Sequence, residues 1–252
     1  MSDNLTITKN HATKTKNNIR LYLSWLPQER LIFFCYDHFH KQVYKQLLPE
    51  MSDKDIIELV IEIAQNKSLA DKISKLIKSR LSRIELAWKD LHGVDLIGAN
   101  LSHADLSHTD LNKAKLNGAN LSGANLMGAI LTTANLSGAN LTGIKLNEAN
   151  LTKSNLSGAD LSESNLSEAN LIDTILIETN LSEANLYGAK INRAYIVKTN
   201  FSQANLDRAD LRGVDLRQAN LHEANLNGAK VNSFTKWPPN FDPQIRGAIQ
   251  VD

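Results

Sequence analysis

The sequence is short of nearly everything that usually builds a catalytic or membrane-inserted protein. One cysteine, Cys35, stands in 252 residues, which excludes an internal disulfide framework and fits a reducing compartment. No apolar run is long enough to span a bilayer, and the polar opening MSDNLTITKNHATKTKNN has no signal-peptide core. A soluble, cytosolic protein is therefore expected. The charges nearly cancel, at 28 Lys and Arg against 27 Asp and Glu. Along the chain they number 15 against 10 in residues 1–89, 11 against 15 in 90–235 and 2 against 2 in the remainder. Neither surplus approaches the single-sign field of a protein devoted to the phosphate backbone or to its imitation. Lys9, Lys14, Lys16 and Arg20 read as part of a solvated tail.

Chemical motifs are missing as well. There is no phosphate-binding glycine loop, no GxSxG and no HExxH. His38 and His40 in DHFHK are the closest histidine pair, but two residues apart on a helix they face different ways and share no metal. Cys35 lies in an apolar helical stretch and reads as a small buried hydrophobe. His103 and His108 read as solvated surface substitutions. The expectation is a protein without catalytic residues, metal ligands or a cofactor.

What the sequence does have is a period of five. Taking residues 91, 96, 101 and so on to 231 as centres gives 29 consecutive units without an insertion, 25 of them centred on Leu and the others on Ile191, Ile196, Phe201 and Val231. Two residues before the centre stands Ala in 19 units, with Thr, Ser or Val in eight more; one residue before it stands Asn in 15 and Asp in seven. A period of five fits neither a helix nor a flat strand, either of which would scatter leucine over both faces. It suits a chain that turns every few residues, with Leu and Ala packed inward together. A narrow interior accepts one large side chain per corner only beside a small one. Asn and Ser recur because their short side chains bond backbone groups in turns. Units of this kind bury their apolar face only by stacking, as a solenoid.

The wording A(N/D)LXX, as in Ala119-Asn120-Leu121-Ser122-Gly123 and Ala139-Asn140-Leu141-Thr142-Gly143, resembles the pentapeptide-repeat family. The resemblance implies a mainly β fold: a right-handed, quadrilateral β-helix with four units per coil, stacking at 20 residues. Seven coils would then make a rod on the order of 34 Å long. One core column of that rod is Leu121, Leu141, Leu161, Leu181, Phe201 and Leu221. The ending NSFTKWPPNFDPQIRGAIQVD resembles a C-terminal cap of cyanobacterial members. In it Phe234, Trp237 and Phe241 lie over the last coil, and Pro238, Pro239 and Pro243 stop further pairing.

Before the repeat the signals are helical. Pro27 opens a helix that ends before Pro49, and Ser52 with Asp55 and Ser68 with Asp71 mark two more starts. The last helix runs through Ile73, Leu76, Ile77, Leu81 and Ile84 to Trp88. The expected organisation is a disordered polar tail over 1–18, a helical domain and N-terminal cap over 19–89, the pentapeptide solenoid over 90–235 and a C-terminal cap over 236–252.

Function is sought where the repeat is broken. Glu163, Glu168, Asp173, Glu178 and Glu183 fill five successive copies of the second position after the centre and circle the rod. Some pentapeptide-repeat proteins imitate DNA toward type II topoisomerases, so the resemblance admits an inhibitor or protector of gyrase; Arg193, Lys198 and Arg208 on the next coil interrupt the acidic belt. The better candidate is apolar. Ile175 and Ile177 flank Leu176, and Tyr195 and Val197 flank Ile196 one coil later, a patch of roughly 300 Å² bounded by polar residues. The leading expectation is a non-enzymatic scaffold that binds a protein partner, or a second copy of itself, through the helical domain and this patch. Neither membrane nor nucleic acid is an expected partner.

Overall fold

The computed structural model of this chain describes residues 81–251. By its contacts the chain divides into two compact units, Met1–Ile84 and Glu85–Asp252. The expected tail and most of the helical domain, with Cys35, His38 and His40, lie outside the described residues.

The second unit is a stack of 20-residue coils. Residues one before each centre form parallel bridges at that interval, as in Asn100 to Asn120 to Asn140 and Asp105 to Asn125 to Lys145. Bridging positions recur every five residues, so each coil has four sides. Between bridges the chain turns: the N–H of Ala119 donates to the carbonyl of Leu116 at 3.0 Å, and the pattern recurs unit after unit. The second residue after the centre takes a positive φ, the mark of a type II turn, at every described unit from Arg83 to Gly228 except at Gln218. Eleven of the 12 glycines stand there, where lack of a Cβ removes the penalty of that conformation.

The recurrent side chains have visible work. The Oδ1 of Asn120 accepts the N–H of Ser122 at 3.1 Å, and Asn155 does the same for Ser157 at 3.0 Å. Asn also stitches coils together by donating to the coil before it; Asp can only accept such a bond, because it has no donor. The Nδ2 of Asn220 donates to Asn200, that of Asn200 to Asn180 and that of Asn180 to Asp160, at 2.9, 3.1 and 2.9 Å. Inside, Leu121, Leu141, Leu161, Leu181, Phe201 and Leu221 form one buried column. Thr in place of Ala keeps its hydroxyl satisfied, as where Thr179 donates to the carbonyl of Leu156 at 2.8 Å.

Both ends differ from expectation. Residues 82–89, expected in the last helix, instead turn and bridge like the repeat. Glu85 pairs with Asp105, and the N–H of Leu86 donates to the Asp105 carbonyl at 2.7 Å. Leu81, Leu86 and Leu91 are five apart, while Leu81, Ile84 and Trp88 also satisfy helical spacing; the next coil offers a ready edge and decides for the repeat. At the other end one extra residue enters the unit after Val231, so Asp215 pairs with Lys236, 21 residues on. Thr235 takes the small interior place and donates to the Leu211 carbonyl at 3.0 Å. The bulge turns Phe234 outward, 73% exposed, so it does not lie over the last coil. Trp237 and Phe241 stack on each other, centroids 5.3 Å apart. The three prolines delay pairing without ending it. Strand β1 (Lys230–Val231) is joined in parallel by β2 (Ile249–Gln250).

Candidate functional site

The four clustered apolar departures from the repeat are stacked on one side of the rod. Ile175 bridges Tyr195 directly. Ile177 and Val197 lie beside them, with the Glu178 N–H donating to the Val197 carbonyl at 2.8 Å. Tyr195 is 67% exposed and Ile177 37%, while Ile175 and Val197 are half-buried. Ion pairs frame the island on both flanks. Arg193 grips Asp173 with two bonds of 2.9 and 2.8 Å, and Lys198 reaches Glu178 at 3.4 Å. The bond from Arg193 holds the Asp173 carboxyl below its usual range. The coil below offers Asn155 and Ser157, themselves bonded at 2.7 Å.

Above the island the stack opens. Among the described residues every centre from Leu86 to Leu216 donates its N–H to a carbonyl of the next coil except Ile196. The bridge from Tyr195 to Asp215 is missing, although Asn200 pairs with Asn220 and Lys190 with Asp210 on the adjoining sides. The backbone N–H groups of Arg193, Ile196, Lys198 and Asp215 have no acceptor among the described residues. An open cavity of about 520 Å³ fills the gap, lined among others by Arg193, Tyr195, Ile196, Gly213, Asp215 and Gln218.

Two local causes meet here. Tyr195 carries its only side-chain oxygen at the far end of the ring, out of reach of the turn that Asn or Asp would hold, and the turn relaxes to a bend in which the N–H of Thr199 no longer donates to Ile196. After Ile175, which has the same defect, the equivalent bond from the Thr179 N–H to Leu176 survives at 3.4 Å. On the upper wall Gln218 lacks the positive φ of its counterparts. A type II turn cannot form without it, so the peptide between Arg217 and Gln218 is turned from its usual direction. Its carbonyl, the normal acceptor for the N–H of Lys198, is thereby withdrawn. Asp215 is held by Arg217 at 2.6 Å and approached by Lys236 at 3.9 Å. The Arg217 bond brings its carboxyl down to about 2.

The other outward hydrophobes are accounted for singly. Tyr187 receives a bond from Arg208 at 2.8 Å, with the guanidinium 5.6 Å from its ring. Trp88 stacks on His108 at 4.2 Å, and the His108 and His103 rings lie over Gly128 and Gly123, where a Cβ would stand 2.5 and 2.6 Å from a ring nitrogen. His108 is thus packed between Trp88 and Gly128, while His103 leans over Gly123 and remains exposed, as expected. Of the acidic belt, Asp173 and Glu178 are engaged by Arg193 and Lys198, and the Glu168 carboxylate folds against Gly188. The sequence pointed to the island but not to the gap above it.

Known proteins place these features in context. The family described as Pentapeptide repeats matches in 8 copies, over residues 90–128, 129–167, 164–203 and 194–232. No curated protein matches the sequence. Among solved structures, the chain is similar to HetL, a pentapeptide repeat protein involved in heterocyst differentiation regulation from the cyanobacterium Nostoc sp. strain PCC 7120. Identity is 30%, over 73% of this chain and 92% of that one, with a TM-score of 0.30. It is also similar to alr5209, a pentapeptide repeat protein from Nostoc PCC 7120, at 33% identity over 44% of this chain and 84% of that one, TM-score 0.28. Trypsin-treated QnrB1, a plasmid-mediated fluoroquinolone resistance protein, matches at 16% identity over 69% and 87%, TM-score 0.37.

Proposed function

Because the chain belongs to the pentapeptide-repeat family, whose repeats cover its residues 90–232, we propose that it is a non-enzymatic scaffold that holds a protein partner on its Tyr195 face. Ile175, Ile177, Tyr195 and Val197 form the contact surface. One coincidence carries this reading: the clustered apolar departure from the repeat adjoins the one rung, among the described residues, that is unpaired inside the stack, with paired sides to left and right and a paired coil above. The solenoid's own stability asks for neither. Outward apolar side chains add nothing to its core, and each backbone bond forgone costs about 0.5–1.5 kcal/mol. An aromatic residue ringed by polar and charged groups is the usual anatomy of an interaction surface.

The reading is tested by affinity capture from the native cell with wild type and with Ile177→Ser/Tyr195→Ser. A partner retained by the wild type and lost by the double variant, at unchanged thermal stability, supports it. An unchanged capture profile contradicts it. Imitation of DNA toward gyrase is the rival. It is weakened by Arg193 and Lys198, which neutralise two of the five positions in the acidic belt, and it fails if DNA supercoiling is unaffected by a large excess of the protein.

A further inference from the structure

We propose that the open rung above Tyr195 receives a short extended segment of the protein partner, whose backbone takes the hydrogen bonds left vacant there. This rests on the preceding assignment of the Tyr195 face to a protein partner and specifies how that partner is held.

The vacant groups come in complementary pairs. On the lower wall they are the carbonyl of Ala194 and the N–H of Ile196, the two groups on either side of Tyr195. In a parallel ladder such a pair is satisfied by one residue, which donates to the first and accepts from the second. The coil below shows the arrangement intact: Tyr195 donates to the Thr174 carbonyl and accepts from the Leu176 N–H, both at 2.8 Å. On the upper wall Asp215 offers its own N–H and carbonyl, which the residues before and after a central one satisfy. The slot is bounded on every side. Ile191 still donates to Asp210 at 3.0 Å and Phe201 to Asn220 at 2.8 Å, while above the gap Leu216 donates to Lys236 at 2.7 Å. The opening therefore has the length of a few extended residues and no more.

Side chains define what the segment must be. At a bridging position side chains point out, as Ile175 and Tyr195 do, and the flanking ones point in. A residue paired opposite Tyr195 therefore lays its side chain on the apolar island, which favours an aliphatic or aromatic group. Its two neighbours face Ala194 and Ile196, both at least nine-tenths buried, and only Gly, Ala or Ser fits. The surrounding charges are already paired with one another, Asp173 with Arg193 and Asp215 with Arg217, so they do not call for a charged segment. The occupant is thus an uncharged small–apolar–small stretch, bound by main-chain pairing as in strand addition to a sheet edge.

The test uses the full chain and a displayed library of nonapeptides with a central small–apolar–small triplet. Selected peptides are synthesised, and binding is followed by fluorescence anisotropy together with amide exchange of the protein. The expected result is saturable binding that slows exchange at Ile196 and Asp215. It weakens at least tenfold when the central apolar residue of the peptide is N-methylated, which removes the donor and keeps the side chain. Equal binding of the N-methylated peptide overturns main-chain pairing but leaves the Tyr195 face as a contact surface. Slow exchange at Ile196 and Asp215 in the free protein, or protection that grows with protein concentration alone, overturns the proposal in favour of a closed rung or a second copy. Failure of every library peptide to bind overturns it too, while loss of the captured partner in Ile177→Ser/Tyr195→Ser reports separately on the face itself.

Discussion

Tyr195 and Asp215 stand one above the other without a bridge between them, although Tyr195 is bridged to Ile175 below and Asp215 to Lys236 above. Their separation is local, since the sides to left and right remain paired. Native-state amide exchange reads this directly, because a protected amide must await an opening event and an unpaired one need not. The amides of Ile196 and Asp215 are expected to exchange at least a hundredfold faster than those of Ile191 and Phe201. Equal protection at all four would remove the open rung.

Gln218 offers a way to close it. Gln218→Gly supplies the residue that elsewhere takes the positive φ of the type II turn, letting the Arg217 carbonyl return to the N–H of Lys198. The expected outcome is slower exchange at Lys198 and a gain on the order of 1 kcal/mol in denaturant unfolding for the bond regained. Unchanged exchange at Lys198 would show that Tyr195 alone holds the rung open.

Core and surface variants should separate cleanly. Phe201 is fully buried in its column, so Phe201→Ala is expected to cost about 3–5 kcal/mol. Phe234 projects from the terminal bulge, and Phe234→Ser is expected to stay within about 0.5 kcal/mol. Tyr195→Ser should resemble Phe234→Ser in stability while abolishing partner capture. A thermal melt of the three variants beside the wild type decides it.

The acid response of the upper wall has a definite sign. The Arg217 bond lowers the folded-state carboxyl of Asp215 from 3.8 to about 2, so the stability it contributes is complete above about pH 4 and is lost as pH falls toward 2. Exposure to water screens the contribution, so the effect is small. Asp215→Asn should flatten that part of the dependence of melting temperature on pH between 4 and 2, by losing the same small contribution above pH 4 while matching the wild type near pH 2.

Much of this architecture was legible in the residues. The spacing of Leu121, Leu141 and Leu161 states the coil length, because one stacked column must keep one residue type. Asn120 and Asn155 state the turns, because the short side chain bonds the residue two ahead. Tyr195 and Val197 were legible as apolar residues where Asn and Ser are usual. The open rung was not, since it depends on the φ of Gln218, and residues as unlike as Glu163, Lys198 and Arg208 all accept a positive φ at that position. Nor was the extra residue before Lys236, which displaces Phe234 from the end of the rod. The helical spacing through Trp88 misled because helical steps of three and four residues overlap the five-residue period there, and only the neighbouring coil distinguishes them.

The most direct measurement is photocrosslinking in the native cell from a photoreactive residue placed at position 195, with position 155, in the same column two coils below, as the control. A discrete crosslinked protein at 195 that is absent at 155 is the expected result. The same products at both positions, or none at either, would contradict a partner held on the Tyr195 face.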